Sequence, residues 1–179
     1  ANLVDATRPY SKLVTNLPGT FEANVDAILK QIQNQPTIFF LDPYGMSDFS
    51  WNTIAKVISR QGPTDLWVRF DQKMIRRLDG FFNSPAKSAK GKFGILQNVY
   101  GIQDNDLLHR QLDGNTPTDR MRNAVRLYMK QLTMAFKGAK KSGFAGGYPI
   151  RSLEGEIKYA LIFSSAHEKA ATLASNVVY

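Results

Sequence analysis

The sequence predicts an α/β fold with a mostly parallel sheet and an antiparallel hairpin at its C-terminal end. Short apolar runs of strand length alternate with segments whose apolar residues recur every three or four positions, which is the spacing of an amphipathic helix. The connections between them are short enough for right-handed crossovers, which build parallel sheets. Two further apolar runs are joined by Leu153-Glu154-Gly155-Glu156, which suits a hairpin turn. The length of 179 residues predicts one domain over residues 1–179.

The N-terminal part of the chain is predicted to alternate between strand and helix. Thr20 suits the N-cap of the first helix, because its hydroxyl can accept a backbone N–H. The predicted elements, in order, are a strand at 10–15, a helix at 21–32, a strand at 37–41, a helix from Trp51 that ends before Gly62, and a strand at 65–70. This alternation predicts the parallel part of the sheet.

The remainder of the chain is predicted to hold the hairpin and most of the helices. Thr118 suits the N-cap of the clearest helix, and the glycines from Gly143 to Gly147 predict a break in the chain. The predicted elements are a helical start at 71–82, a basic loop or lid at 83–94, irregular or partly helical chain at 93–100, helices at 103–112 and 118–137, strands at 148–151 and 157–163, and a helix at 167–177.

The composition excludes several classes of site. The chain has no cysteine, so disulfides, thiolate metal sites and cysteine nucleophiles are excluded, and its two histidines, His109 and His167, are far apart in sequence. We therefore expect no metal site. No apolar run approaches the roughly 18 residues of a membrane span, so no membrane partner is expected. The first residues do not resemble a secretory signal, and with the lack of cysteine they favour a cytoplasmic protein.

The net charge of +8 is concentrated in the middle of the chain. Residues 56–100 carry nine Lys or Arg against three Asp or Glu, whereas residues 1–55 carry three against five. Clustered positive charge favours a nucleic-acid partner through phosphate contacts, although a solvated basic surface is the alternative. A second basic cluster lies on one predicted helix and consists of Arg120, Arg122, Arg126 and Lys130. The candidate nucleic-acid-binding residues are Arg69, Lys73, Arg76, Arg77, Lys87, Lys90 and Lys92.

The apolar run 37–41 ends on Asp42-Pro43-Tyr44-Gly45. In open α/β sheets ligands bind outside the carboxyl ends of strands, so an acid, a proline and an aromatic residue at this place predict a binding or catalytic site. The alternative is a plain turn in which Asp42 caps the following helix and Tyr44 packs on the sheet edge.

Two blocks of the sequence resemble the three-Cys-motif partner protein family, TcmP. One is Phe39-Phe40-Leu41-Asp42-Pro43-Tyr44-Gly45, with Trp51 and Ile54 behind it, and the other is Lys158-Tyr159-Ala160-Leu161-Ile162-Phe163-Ser164-Ser165 before His167. The resemblance runs with gaps from about residue 10 to 175. It implies the Rossmann-like fold of class I S-adenosylmethionine-dependent methyltransferases, whose second half has the order of elements predicted here. The family is described mainly through its genomic partner and its fold, so the name by itself implies no reaction.

The resemblance to this methyltransferase fold implies roles for two groups of residues. In amino-methylating enzymes of the fold, a turn similar to Asp42-Pro43-Tyr44-Gly45 holds the amine of a base, and the aromatic residue stacks on that base. Such enzymes usually have two prolines there, whereas this chain has one, as in the turn of tRNA guanine-N2 dimethyltransferases. Thr20 and Phe21 would lie near the adenine of S-adenosylmethionine.

One part of the methyltransferase pattern is missing from the sequence. The first strand, Gly-rich turn and helix that hold the cofactor are absent, because Gly19 alone cannot supply a Gly-x-Gly loop. The chain is therefore expected to be the C-terminal part of a longer one, unless it cannot bind the cofactor in the usual way. The predicted function is methyl transfer to a nucleic-acid amine. The alternative is a non-catalytic nucleic-acid-binding or partner-interaction protein of a phage, defence or mobile-element locus.

Overall fold

The computed structural model describes residues 3–45, 48, 50–71, 86–155 and 157–178 of the chain. A 3-10 turn at Arg8–Tyr10 precedes the second helix. The helices are α1 (Leu3–Thr7), α2 (Phe21–Ile32), α3 (Trp51–Ser59), α4 (Ala86–Tyr100), α5 (Asn105–Leu112), α6 (Pro117–Gly138) and α7 (Glu168–Val178), and the strands are β1 (Thr37–Leu41), β2 (Thr64–Asp71), β3 (Phe144–Arg151) and β4 (Ile157–Ser165).

The four described strands form one mixed sheet in the order β1-β2-β4-β3. β1 and β2 are parallel, with Phe39 opposite Leu66, whereas β4 is antiparallel to both β2 and β3. The α/β class and the C-terminal hairpin are thus confirmed. The parallel part of the sheet is confirmed in part: the described sheet is mixed, because one of its three pairings is parallel and two are antiparallel.

The strand predicted at 10–15 does not form. Backbone N–H groups of Leu13 and Val14 instead donate to the carbonyl of Tyr10, at 2.7 and 2.9 Å, so the chain turns locally. Leu13 is largely exposed and contributes nothing to the core. Local turn bonds replace sheet pairing here, and β1 is consequently an edge strand of the described sheet.

The basic loop predicted at 83–94 is also wrong where the chain is described, because α4 begins at Ala86 and continues to Tyr100. Alanine and lysine are good helix formers, and they outweigh Gly91 and Gly94 in this segment. Residues 83–85, and all of the predicted helix at 71–82 except Asp71, lie outside the described residues.

Two further details of the C-terminal part differ from the predictions. α6 is capped by Thr116, whose hydroxyl accepts the backbone N–H of Asp119 at 3.1 Å, and not by Thr118. Pro117 takes the first helical position, where its missing N–H costs nothing. The glycines predicted as a break are part of β3 from Phe144 onward, because pairing with β4 holds them in extended chain.

The core lies between one face of the sheet and helices α2, α3 and α6. Phe39 of β1 meets Phe21 of α2 edge-on, with ring centroids 6.4 Å apart, and Phe70 of β2 lies 5.3 Å from Tyr128 of α6. On the opposite face, α7 covers the hairpin, where Ser175 hydrogen-bonds Tyr148. Among the residues that the structure describes, no helix covers this opposite face at β1.

The open part of the sheet carries two large apolar side chains. Ile38 and Phe40 of β1 are 68% and 62% exposed, whereas their neighbours Phe39 and Leu41 are buried. The alternation follows from the pleat of a strand, in which successive side chains point to opposite faces. Within the part of the chain that the structure describes, no helix is both long enough and apolar enough to cross a membrane.

Candidate functional site at the carboxyl end of β1

A pocket of about 410 Å³ lies at the carboxyl end of β1. It brings the predicted substrate-side residues Asp42, Pro43 and Tyr44 together with the predicted cofactor-side residues Thr20 and Phe21. These two groups are more than 20 positions apart in sequence and meet because α2 begins beside the end of the strand that follows it. The full lining is Thr20, Phe21, Phe40, Leu41, Asp42, Pro43, Tyr44 and Asp48.

Asp42 is held by Arg69 of the neighbouring strand. Arg69 donates from Nη1 to Oδ1 of Asp42 at 3.0 Å and from Nη2 to Oδ2 of Asp71 at 3.3 Å. Its guanidinium also lies over the ring of Tyr159, 4.8 Å from the centroid. Because Arg69 is fixed from three sides, it fixes the orientation of the Asp42 carboxylate in turn.

The second oxygen of Asp42 remains available to a ligand. Among the described residues, no donor reaches Oδ2 of Asp42, and the side chain is half exposed. The interpretation in which Asp42 caps the following helix is wrong, because Ser50 caps α3 by accepting the backbone N–H of Thr53 at 3.3 Å. The carboxylate therefore has no structural duty at the helix start and can accept a hydrogen bond from an incoming N–H.

Tyr44 does not pack on the sheet edge, because its side chain is fully exposed. Phe40, in the same pocket, is also largely exposed. The exposure of two aromatic side chains to water is unfavourable in free energy, and their flat apolar surfaces are available to a planar ligand. The arrangement suits the stacking of a base.

The turn after β1 is closed by its own hydrogen bonds. Gly45 N–H donates to Oδ2 of Asp48 at 2.7 Å, and the N–H of Asp48 donates to the carbonyl of Gly45 at 3.2 Å. A Cβ at Gly45 would meet Oδ1 of Asp48 at an ordinary 3.7 Å. The turn itself therefore does not require glycine, and Gly45, unlike Asp42, Pro43 and Tyr44, is not among the residues that line the pocket.

Thr20 and Phe21 have structural duties as well as a place in the pocket. The hydroxyl of Thr20 accepts the N–H of Ala23 at 3.2 Å, so the predicted N-cap of α2 is confirmed. Phe21 is half buried and packs against Phe39. Both residues line the pocket beside Asp42, and each already has a structural role in the start of α2.

Glu22 is a residue of this region that the sequence did not single out. Its carboxylate accepts the N–H of Ser50 and the hydroxyl of Thr53, the latter at 3.1 Å, and so ties the start of α2 to the start of α3. These hydrogen bonds, chiefly those from Ser50, lower the pKa of Glu22 below its ordinary value. Only the position of Glu22 in the first turn of a predicted helix could have suggested a role.

The predicted nucleic-acid-binding residues are only partly placed. Arg69 lies beside Asp42, and its guanidinium already bonds the carboxylates of Asp42 and Asp71 and lies over the ring of Tyr159. Lys73, Arg76 and Arg77 lie outside the described residues. Lys87, Lys90 and Lys92 belong to the first turns of α4.

No metal centre is found in the part of the chain that the structure describes, where no three His, Cys, Asp or Glu side chains form a group suited to a metal ion. Both histidines are exposed. Nδ1 of His167 accepts the N–H of Lys169 at 3.2 Å, which serves the start of α7.

A comparison of this chain with protein-family models, with curated proteins and with solved structures finds no match.

Proposed function

We propose that this chain carries the substrate side of a methyl-transfer site that acts on an exocyclic amine of a nucleic-acid base, with S-adenosylmethionine as methyl donor. The observation that carries the proposal is the pocket at the end of β1, where an oriented carboxylate and two exposed aromatic side chains face the same space. An amine needs an acceptor for its N–H, and a base needs a flat surface.

The described fold supports this proposal. A parallel pair, β1 and β2, is followed by an antiparallel hairpin, which is the arrangement expected for the second half of the class I methyltransferase fold. α3 connects the parallel strands β1 and β2 and packs with α2 and α6 on one face of the sheet, as a crossover between parallel strands requires. The turn lies at a carboxyl end, where such sheets bind ligands.

The described residues do not by themselves fit S-adenosylmethionine. Phe21 offers one aromatic face, but a Cβ at Gly19 would meet only Nδ2 of Asn24, at an ordinary 3.6 Å, so Gly19 forms no tight cradle. The start of α2 is already capped by Thr20. Because no glycine-rich turn adjoins the pocket among the described residues, the proposal concerns the substrate side alone, and no step is derived through the cofactor.

Each substrate-side residue has a defined part. Oδ2 of Asp42 accepts a hydrogen bond from the amine N–H and thereby orients the nitrogen lone pair, while Arg69 holds Oδ1. Tyr44 stacks on a flipped or single-stranded base, a contact worth roughly 1–3 kcal/mol per base. Pro43 limits the backbone between them to one φ value.

One observation favours a second candidate function. Among the described residues around the pocket, no glycine-rich turn could bind the cofactor. This is what we would expect of a non-catalytic nucleic-acid-binding protein or a partner-interaction protein. In such a protein the aromatic side chains and the basic residues would bind without a reaction. Strongly salt-dependent binding of nucleic acid that survives the loss of the Asp42 charge would support this candidate.

The test is methyl transfer from isotope-labelled S-adenosylmethionine to mixed RNA and DNA, using the protein made from its complete reading frame. Asp42→Asn is expected to lower the rate by about 100-fold or more, because Arg69 would bond the single amide oxygen and leave the NH2 group, which is a donor, facing the amine. Tyr44→Ala is expected to weaken substrate binding, and Tyr44→Phe to restore it.

The matched control for Asp42→Asn is Asp26→Asn, which removes one exposed carboxylate, paired with Lys56, away from the pocket. It should leave the rate unchanged. An undiminished rate in Asp42→Asn would exclude the proposed role of this residue. A lack of any transfer to either nucleic acid by the unaltered protein would favour the second candidate function.

A further inference from the structure

A groove of about 290 Å³ lies between α6 and the β3–β4 hairpin, apart from the pocket at β1. Its floor is apolar and includes Met121, Val125 and Met129 of α6. Its rim carries Arg122 and Arg126 from α6, together with Arg151 from the end of β3. The residues that line it include no acid. An apolar floor with a rim of one charge sign suits an anionic ligand that has a flat apolar part.

The arginines of α6 are part of a row along the helix. Arg122, Arg126 and Lys130 are all exposed and follow one another at intervals of four residues, so they share one face. Like charges at this spacing destabilise a helix by about 0.2–0.5 kcal/mol per pair. Asp119 offsets one of them through its contact with Arg122 at 3.2 Å. Within the described residues, no carboxylate lies within ion-pair distance of Arg126 or Arg151.

The floor of the groove is set by the close approach of β3 to α6. Gly147 lies so near the helix that a Cβ there would come within 2.8 Å of Val125 and 2.9 Å of Met129. With no side chain at Gly147, the surfaces of Val125 and Met129 form the base of a shallow trough. The volume of about 290 Å³ is at the lower limit of roughly 300 Å³ usual for small-molecule sites, so it suits one planar group better than a whole cofactor.

The groove and the proposed methyl-transfer site lie at the same end of the sheet, where β1 and β3 have their carboxyl ends. β3 runs in the direction of β1 and β2, because β4 is antiparallel to both β2 and β3 and β1 is parallel to β2. Arg151 is the last residue of β3. Asp42 follows the last residue of β1. A linear polymer can therefore lie across this end of the sheet and reach both the groove and Asp42. A compact ligand would reach only one of the two.

We propose that this arginine-rimmed groove binds a single-stranded nucleic acid, with phosphates on Arg122, Arg126 and Arg151 and one unstacked base on the floor formed by Met121, Val125 and Met129. The inference rests on the proposed function, because it names the path by which the nucleic acid reaches Asp42. A single strand is required, since the bases of a duplex do not expose their faces. Of the three arginines, Arg126 and Arg151 are the two that form no ion pair with a described carboxylate, whereas Arg122 contacts Asp119.

The test is the binding of a fluorescein-labelled 15-nucleotide single-stranded RNA, followed by anisotropy at several salt concentrations. Removing two phosphate contacts with Arg126→Gln/Arg151→Gln should lower the salt slope by about 1.4 and raise Kd about 25-fold at 0.1 M salt, at 0.7 per contact. The control Lys30→Gln/Lys137→Gln removes two exposed charges from other parts of the surface and should retain the slope of the unaltered protein. Equal losses in both double variants would overturn the inference.

The floor is tested with an abasic strand of the same length. The unaltered protein should bind it more weakly than the base-bearing strand, and Met129→Gln should reduce that difference. Equal binding of both strands would overturn the role of the floor. A matching duplex should bind more weakly than the single strand, and tighter binding of the duplex would contradict the proposal. Thermal melting of each variant checks that it is folded.

These readouts separate the inference from the proposed function. Loss of RNA binding in the arginine variant, together with no methyl transfer by any form of the protein, would support the groove and contradict the reaction. Methyl transfer that depends on Asp42 but is unaffected by the arginine variant, with RNA binding also unchanged, would support the reaction and overturn the groove.

Discussion

At the scale of single residues, Gly101 shows why a position can demand glycine. It follows α4 with a φ of +66°, in the left-handed region that other residues rarely adopt. A Cβ here would lie 2.1 Å from Cδ1 of Trp51, which no real contact permits. Trp51 in turn packs edge-on against Tyr128, with ring centroids 5.8 Å apart, inside a group of buried aromatic rings. Gly101 is thus what allows Trp51 to reach the core.

Gly101→Ala is therefore expected to lower the free energy of unfolding by about 2–4 kcal/mol, from backbone strain and overpacking together. Gly94→Ala is the matched control, because Gly94 lies inside α4 and a Cβ there meets nothing within 4 Å. That control should stabilise the protein by about 0.5–1 kcal/mol. Urea unfolding measures both. A neutral Gly101→Ala would show that Trp51 can move away at little cost.

At the scale of secondary-structure elements, the start of α6 is fixed by a pair of reciprocal bonds. The hydroxyl of Thr116 accepts the N–H of Asp119 and donates to Oδ2 of the same residue at 2.7 Å. Both Thr116 and Thr118 are typical capping residues in sequence. Pro117 decides between them, because proline is favoured just after a cap and Thr118 is then already helical.

Thr116→Ala is expected to lower the free energy of unfolding by about 0.5–2 kcal/mol, which is the usual cost of losing an N-cap. Thr118→Ala, an exposed position in the first turn of the same helix, should change it by less than about 0.5 kcal/mol. Chemical denaturation of the two variants at neutral pH compares them directly. A larger loss from Thr118→Ala would place the cap where the sequence predicted it.

At the scale of the whole molecule, α7 covers the sheet at the hairpin, whereas no described element covers it at β1. Ile38 and Phe40 expose apolar surface beside a row of backbone groups that no described strand pairs. An exposed apolar edge strand is a template for association with another chain. The open edge is therefore the surface through which this chain is expected to self-associate.

Ile38→Lys is expected to raise the protein concentration at which association begins, because a charge on an edge strand opposes pairing. Leu153→Lys is the control: it adds the same charge at the exposed tip of the hairpin, away from the edge. Light scattering over a concentration series measures the onset. If both variants shift the onset equally, net charge and not the β1 edge controls association.

Much of the fold followed from local pattern. Helices α2, α3, α5 and α7 and strands β1, β2 and β4 lie within a few residues of their predicted positions, because each has a clear apolar period and a cap or a breaker at its ends. The strand at 10–15 failed since strand formation requires a partner, and no local pattern reveals whether one is present. The loop at 83–94 failed since a basic segment can equally be a helix.

The site was predictable in part for the same reason. Asp42, Pro43 and Tyr44 follow a recognisable apolar strand, so their place at a carboxyl end could be inferred from the sequence, whereas the exposure of Ile38 and Phe40 within that strand could not. The ion pair of Asp42 with Arg69 could not, because it joins two strands through the register of their pairing. The groove of Arg126 and Arg151 was equally hidden, since those residues meet only when the hairpin packs on α6.

A buried cation, Arg60, and a half-buried one, Lys141, show the limit of sequence reasoning. Arg60 donates to the carbonyls of Gln33 and Gln35, both at 2.7 Å, and Lys141 donates to the carbonyl of Ile58 at 2.9 Å. Burial lowers the pKa of each, and the nearby Arg60 adds to the effect on Lys141. Both join chain segments distant in sequence, although in the sequence they look like ordinary surface charges.

The sequence by itself determined the α/β class, the positions of most helices and strands, the C-terminal hairpin and the acid-proline-tyrosine turn after β1. These depend on the spacing of apolar residues and on turn chemistry, which are local. Only the tertiary structure decided the mixed sheet, the open edge at β1, the orientation of Asp42 by Arg69 and the arginine-rimmed groove. The physical reason is that each of these depends on which distant segments pair, and pairing is a property of the folded chain.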